Sequence, residues 1–484
     1  MSFKKRHRNR HHKGHSGAKF TQAPRPAENV WVDYERLPRD LEPEALAELL
    51  ATIPKPKRGK AAKEPTSYSE LQALSLADLH EVAEEEKLED VAGKRRDEVI
   101  FEITAARLRA GVPVEVEGCV EISRDNHCFV RQADAAYLPA NEDVFIPGSI
   151  AKQFALLPGM TVKGKLRPPL DGERYFALIE LEEVDFHPPE EAATRSPFKE
   201  LVPLYPEQRI ILEGAEENPL EMRIVDLITP IGRGQRGLIV APPRTGKTIL
   251  LQMLAKSIVK NAPDAHLIIL LIDERPEEVT DFERMIPEGD REVISSTFDE
   301  PAWRHIQVAE MVMKKARSLV EAGEDVVILL DSITRLARAC NIEAPSGGKL
   351  LSGGIEASAL QFPKKFFGSA RNIEDGGSLT ILGTALIETG SKLDEIVFEE
   401  FKGTGNMEIV LDRRLSDRRI FPAIDINRSG TRKEELLFTP EEIRRVWMLR
   451  KVLNELDPVE AMEMLIQKMR KTRSNAEFLL TIGS

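Results

Sequence analysis

Long apolar runs are missing from this chain of 484 residues: nothing approaches the ~18 consecutive apolar residues of a membrane-spanning helix. Cysteine is scarce. Cys119, Cys128 and Cys340 make no CxxC pair and no even-numbered framework, so reduced thiols of a cytoplasmic protein are expected. The first residues are charged but lack an apolar stretch behind them, and no secretory signal is expected. Acid is absent from residues 1–20, which hold seven Lys/Arg and four His; with −12 on the whole chain, the rest carries −19. An acidic body with a basic tail argues against nucleic-acid binding over the whole surface. It permits a localised channel.

The length predicts two or three domains. Residues 1–65 read as a flexible, basic, proline-containing extension, with a short helix expected from Glu42 to Leu50. Its basic runs suit either a solubilising tail or a loose RNA contact; His7, His11, His12 and His15 also permit a metal site. Residues 66–111 form a small helical domain: Ser75 to Asp78 is a capping box, and Val99, Ile100 and Ile103 mark one face of a second helix. From 112 to 188 the period changes to alternation (Val112, Val114, Val116), followed by short strand candidates at 129–131, 144–146, 161–165 and 175–178. Several short strands between turns predict a small barrel. Its aromatics would stack bases if exposed, with Arg131, Lys163, Lys165 and Arg167 beside them; a structural or docking barrel has the same pattern. After a linker at 189–220, apolar runs at 238–240, 267–272, 326–330 and 379–386 alternate with helical patterns through 221–484. That order predicts a mostly parallel α/β sheet with ligands at the strand C-terminal ends.

The chemistry concentrates there. Ala241-Pro242-Pro243-Arg244-Thr245-Gly246-Lys247-Thr248 joins an apolar strand to an amphipathic helix, one glycine short of the usual phosphate loop. Pro243, Arg244, Thr245, Gly246, Lys247 and Thr248 would cradle the phosphates of ATP, Lys247 meeting the outer phosphates and Thr248 a magnesium ion. Ala241 costs little unless its backbone is left-handed. A second strand ends at Asp331, placed to hold the Mg2+ shell. A third ends in Asp273-Glu274-Arg275, where Glu274 suits the base that aims water, or a structural ion-pair cluster. Arg413, Arg414, Arg418, Arg419, Arg428 and Arg432 are candidates for a cation offered to a neighbouring subunit. Two glycine- and serine-containing loops, carrying Lys349 and Lys392, could grip a phosphate backbone in the centre of a ring or simply be mobile surface.

In order along the chain, RPPLDGERYFAL (167–178), GLIVAPPRTGKT (237–248), LLIDERPEEV (270–279), STFDEPAWRHIQVAEMV (296–312), VVILLDSITRLARA (326–339) and the run from EEFKGTGN to TRKEELL (399–437) resemble the family of the bacterial transcription termination factor Rho. The resemblance spans roughly residues 70–480. It implies a homohexameric, ring-shaped, RNA-dependent ATPase and 5′-to-3′ RNA–DNA helicase that loads on nascent transcripts. RNA polymerase and elongation factors are then candidate partners, and no membrane is involved. It implies an N-terminal helical domain and an OB-type β-barrel as primary RNA site, then a RecA-like P-loop ATPase domain with pore loops. By that resemblance Lys247, Glu274 and Arg432 are catalytic, Arg432 as the finger from the adjoining subunit. Arg275, Arg419 and Phe421 border the nucleotide, Phe421 against the adenine. His127, Phe129, Arg131, Phe145, Arg167, Glu173 and Tyr175 fall in the primary RNA site, Lys349 and Lys392 in the pore. Asn126-His127-Cys128-Phe129-Val130-Arg131 departs from the family's Gly-Phe-Gly-Phe-Leu-Arg, and Phe145 replaces a usual tyrosine, so an altered base preference is expected. A rotary-ATPase nucleotide-binding subunit, which shares the core and a preceding barrel, is the competing reading.

Overall fold

A computed structural model describes residues 36–52, 66–88, 91–123, 125–214, 219–286, 291–345 and 354–482. The four N-terminal histidines and Lys349 lie outside the described residues. A helix occupies Pro43–Thr52, close to the expected span. The next helices build a compact cap. Leu76–Glu85 starts in the expected box, with Ser75 and Asp78 each capping the other's backbone. Arg96–Arg109 buries Val99, Ile100 and Ile103 completely.

The barrel follows, from β1 (Val114–Ile122), β2 (Cys128–Arg131), β3 (Val144–Ile146), β4 (Thr161–Arg167) and β5 (Ala177–Val184). Pairing runs β1–β2–β3–β5–β4 and returns to β1, which closes the sheet. The last strand begins after Tyr175 and Phe176, later than its aromatic run predicts. Those rings are buried at the strand's entry, where Phe145 N–H donates to the Phe176 carbonyl at 2.9 Å. Val114, Val116, Val130, Val162 and Leu178 fill the interior together with helical residues of the cap, so cap and barrel share one core.

The large domain is built on a 9-stranded sheet among the described residues. Its central strands are β6 (Arg236–Ala241), β7 (Ala265–Glu274), β8 (Arg291–Thr297), β9 (Asp325–Asp331), β10 (Ser378–Leu386), β11 (Met407–Val410) and β12 (Gly430–Thr431). Their order is β8–β7–β9–β10–β6–β11–β12, parallel except that β12 runs against β11. Both faces are covered, which explains the uninterrupted apolar runs. On β7, Leu267, Ile269 and Leu271 face one core, while Ile268, Leu270 and Ile272 face the other.

The barrel sits against helix Ala302–Glu321 of this domain. Tyr137 donates to Glu292 at 2.9 Å, Ser318 to Asp185 at 2.7 Å, and Arg304 to the Ala136 carbonyl at 3.0 Å. Gly159, at φ +104°, lies so close to the Lys314 backbone that a Cβ would collide with it. No helix among the described residues is long and apolar enough to cross a membrane.

Candidate nucleotide pocket and RNA interface

Strand β6 ends at Ala241, and the following loop turns into helix Lys247–Asn261. The left-handed positions are Arg244 (φ 65°) and Gly246 (φ 85°), so Ala241 needs no glycine. Thr245 closes the loop by donating to the Pro242 carbonyl at 2.8 Å. Gly246 faces the Phe421 ring, whose nearest atom would be 3.5 Å from a Cβ at that position. Phe421 therefore lies over the loop with 41% of its surface exposed, an apolar face open to a flat heterocycle.

Neighbouring parallel strands deliver the carboxylates to the same sheet edge. Leu271 on β7 pairs in register with Asp331 on β9, and Glu274 ends β7. Between them sits Lys247, its Nζ 2.6 Å from Asp331 Oδ1 and 3.2 Å from Glu274 Oε1. Burial would lower the lysine's affinity for its proton. The Asp331 and Glu274 charges outweigh it and hold the pKa above the ordinary value. Burial, reinforced by the Asp331 charge, pushes the Glu274 carboxyl up to about 7 against the pull of Lys247 and Arg335. Thr384 on β10 donates to Asp331 Oδ1 at 2.7 Å, which fixes that carboxylate. Its Oδ2 is buried without a partner among the described residues, and the Thr248 hydroxyl is directed to Glu278 at 3.4 Å. An oxygen-only donor set with an unused buried carboxylate oxygen fits a magnesium ion.

Other predicted residues surround this centre unevenly. Arg275 is exposed at the start of helix Pro276–Met285, and Arg419 is exposed in a left-handed turn before Phe421. Arg432 is elsewhere. It follows β12, whose Thr431 pairs with Met407 and thus lies level with Gly237 at the beginning of β6. The phosphate loop leaves the other end of β6, ~13 Å away along the strand. Arg432 is exposed beside a cavity of about 420 Å³ lined by Glu408, Arg428 and Arg450. Lys392, also exposed, opens helix Lys392–Lys402.

Residue reasoning missed Thr384 and Arg335. Helix Ile333–Ile342 directly follows the Asp331 strand and carries Arg335, 3.4 Å from Glu274 and 3.2 Å from the Asp273 carboxylate. One turn on, Arg338 clamps the buried Asp394 through bonds of 2.8 and 2.5 Å, and Thr389 donates to the same carboxylate at 2.6 Å. Asp394 belongs to the helix that Lys392 begins. One helix thus touches both the nucleotide carboxylates and the base of the Lys392 loop. The available signals were a polar Thr in an apolar strand and two arginines three residues apart.

On the barrel, Phe129, Phe145 and Tyr175 do form one cluster. They are buried, in contrast to the exposed platform that base stacking suggests. Phe129 lies at the bottom, with the Phe145 ring 5.7 Å and the Tyr175 ring 6.2 Å away, both edge-on. His127 is half-buried, 6.2 Å from Phe145. The arginines are already paired. Arg131 bonds Glu121 at 2.7 Å and also Asp143, whose carboxyl burial pushes up to about 7. Arg167 grips Glu173 through bonds of 2.7 and 2.9 Å. Lys163 and Lys165 pair with Glu115, Glu180 and Glu182. Glu173 pays its burial cost through partners: Arg167 and the N–H groups of Leu170 and Arg39 bring its pKa below the ordinary value.

A strand-to-helix phosphate loop, a lysine between strand-end carboxylates and a doubly covered parallel sheet define a RecA-like P-loop ATPase, here preceded by an oligonucleotide-type barrel. Comparison with known proteins narrows the class. Residues 221–431 match the ATP synthase alpha/beta family nucleotide-binding domain, 116–190 the Rho termination factor RNA-binding domain, and 70–112 the Rho termination factor N-terminal domain. The transcription termination factor Rho of Pseudomonas fluorescens biotype C is 52% identical over 418 residues, covering 86% of this chain and 99% of that protein. Rho of Escherichia coli K12 is 52% identical over 415 residues (85% and 98%), and that of Rhodopirellula baltica 50% over 455 (93% and 88%). The chain belongs to the Rho family, and it is an RNA-binding ATPase. The core match alone would suit the rotary class; the two preceding domains decide against it.

Proposed function

We propose that this chain forms a hexameric ring that ends transcription by pulling single-stranded nascent RNA through its centre in the 5′-to-3′ direction, opening the RNA–DNA hybrid at the cost of ATP. The carrying observation is the position of Arg432, exposed at the end of the sheet opposite its own Lys247. An arginine so placed serves a neighbour's triphosphate. In a ring each nucleotide then lies between subunits, and turnover depends on how they meet.

Each side chain has a separable task. Lys247 exchanges its carboxylate partners for the outer phosphates of ATP. Thr248 and Asp331 would hold Mg2+, which neutralises phosphate charge when bound. Glu274, freed from Lys247, accepts a hydrogen bond from the attacking water and aims it. The adjoining subunit's copy of Arg432 meets the charge that builds on the transferring phosphoryl group. Phe421 covers the adenine, and Arg275 and Arg419 border the pocket. RNA would be held first on the barrel by His127, Phe129, Arg131, Phe145, Arg167, Glu173 and Tyr175, then in the pore by Lys349 and Lys392. RNA polymerase, with its elongation factors, is the partner from which the transcript is withdrawn.

ATP hydrolysis with and without single-stranded RNA tests this reading. Strong stimulation by RNA is expected. Turnover indifferent to RNA would point to the rotary class instead.

A further inference from the structure

The aromatic cluster of the barrel is covered by the protein's own chain. Residues 36–40 of the N-terminal extension, Arg-Leu-Pro-Arg-Asp, cross it. Leu37 packs on Phe129, Phe145 and Tyr175, and Pro38 is buried. The backbone of Arg39 engages the Arg167–Glu173 pair from both sides: its N–H donates to Glu173 Oε1 at 2.9 Å, and its carbonyl accepts from Arg167 Nη2 at 3.3 Å. On either flank, Arg174 N–H donates to the Arg36 carbonyl at 3.1 Å, and Asp40 accepts from the Ser149 N–H at 2.9 Å and hydroxyl at 2.6 Å.

This pattern has the chemistry of a base. An amino-bearing pyrimidine offers a flat apolar body, an N–H donor and a carbonyl acceptor. The strap offers the Leu37 side chain to the rings, one N–H to Glu173 and one carbonyl to Arg167. A nucleotide cannot use those groups while the strap does.

We propose that residues 36–40 are a built-in competitor of RNA: a peptide that mimics a cytosine-like base, closes the barrel cleft in the resting protein and is expelled when RNA binds. The inference rests on the reading of this cleft as an RNA site. The strap is held by these five hydrogen bonds and by the Leu37 contact with the rings, so its hold is local and reversible. Proline at position 38 fixes φ and lowers the entropy lost on closing. Transcripts rich in the matching base would displace it, while others would meet a closed cleft. The strap thus sharpens selection by competition.

The test uses the full chain without ATP, a labelled short oligocytidine and fluorescence anisotropy. Leu37→Ser combined with Asp40→Ala should tighten binding about tenfold, the gain expected if the strap is closed ~90% of the time. Hydrogen exchange over residues 36–40 of the unaltered protein should rise when oligocytidine is added. Unchanged affinity in the double variant, or unchanged exchange on adding RNA, overturns the proposal. Tyr175→Leu, which keeps the apolar cover but removes the stacking ring, separates the two readings. If it weakens binding while the double variant changes nothing, only the strap is wrong; if it too changes nothing, the cleft is not the RNA site and the strap proposal falls with it.

Discussion

At the scale of single residues, the nucleotide pocket is a charge balance around Lys247. Its ammonium sits between Asp331 at 2.6 Å and Glu274 at 3.2 Å. Without that cation two buried carboxylates would repel; with it, Glu274 still binds its proton up to about pH 7. A base must be ionised to work, so ATP turnover should rise with pH through about 7, because the carboxyl is protonated below that value and free above it. Rate profiles of kcat/KM for ATP, taken with saturating RNA, check this. Glu274→Gln should keep nucleotide affinity, read by a fluorescent ATP analogue, and lower kcat by about a hundredfold or more. Near-normal RNA-stimulated turnover in that variant would remove the base assignment. The strand-end carboxylates, Lys247 and Thr248 were legible in the sequence because apolar strands announce where their chemistry emerges. Thr384 and Arg335 were not. Each works through a contact between distant segments, and the local signals, a polar Thr in an apolar strand and a pair of arginines on one helix, do not say what they touch.

Among elements, the alternating faces of β7 and β9 explain why these strands resist water on both sides. Leu270 is fully buried against one core while Leu271 faces the other. Leu270→Ala should cost about 2–5 kcal/mol of stability, measured by chemical denaturation, since the packed sheet cannot collapse around the lost volume. Helix Ile333–Ile342 has a different task. It carries Arg335 at Glu274 and Arg338 at Asp394, a contiguous physical link between the two places. Arg338→Ala should leave ATP affinity intact but reduce the ratio of turnover with RNA to turnover without it. A ratio equal to that of the unaltered protein would sink this link. The strand periods in the barrel were readable, yet the burial of its aromatics was not. Leu37 lies 92 positions before Phe129, in a stretch whose composition suggests only a flexible tail. The closing contact comes from tertiary packing, which composition does not encode.

For the whole molecule, cap and barrel share one core, and the barrel is bonded to β8 and to helix Ala302–Glu321 of the ATPase domain. RNA held on the barrel is thereby tied to the motor by a firm seat. The remaining step is between subunits. Arg432 stands at the end of its own sheet away from its own phosphate loop, and in the proposed ring a second copy would bring the two together. Mixing two inactive variants tests this claim most directly. Chains bearing Lys247→Ala bind no triphosphate productively but still offer Arg432; chains bearing Arg432→Ala have an intact pocket but no finger to lend. Each alone should show almost no RNA-stimulated hydrolysis. Reassembled in equal amounts, about a quarter of the interfaces join an intact pocket to an intact finger, and activity should return in that proportion. Mixed rings that form and bind RNA yet stay inactive, or an Arg432→Ala ring that hydrolyses ATP at the normal rate by itself, would contradict the account.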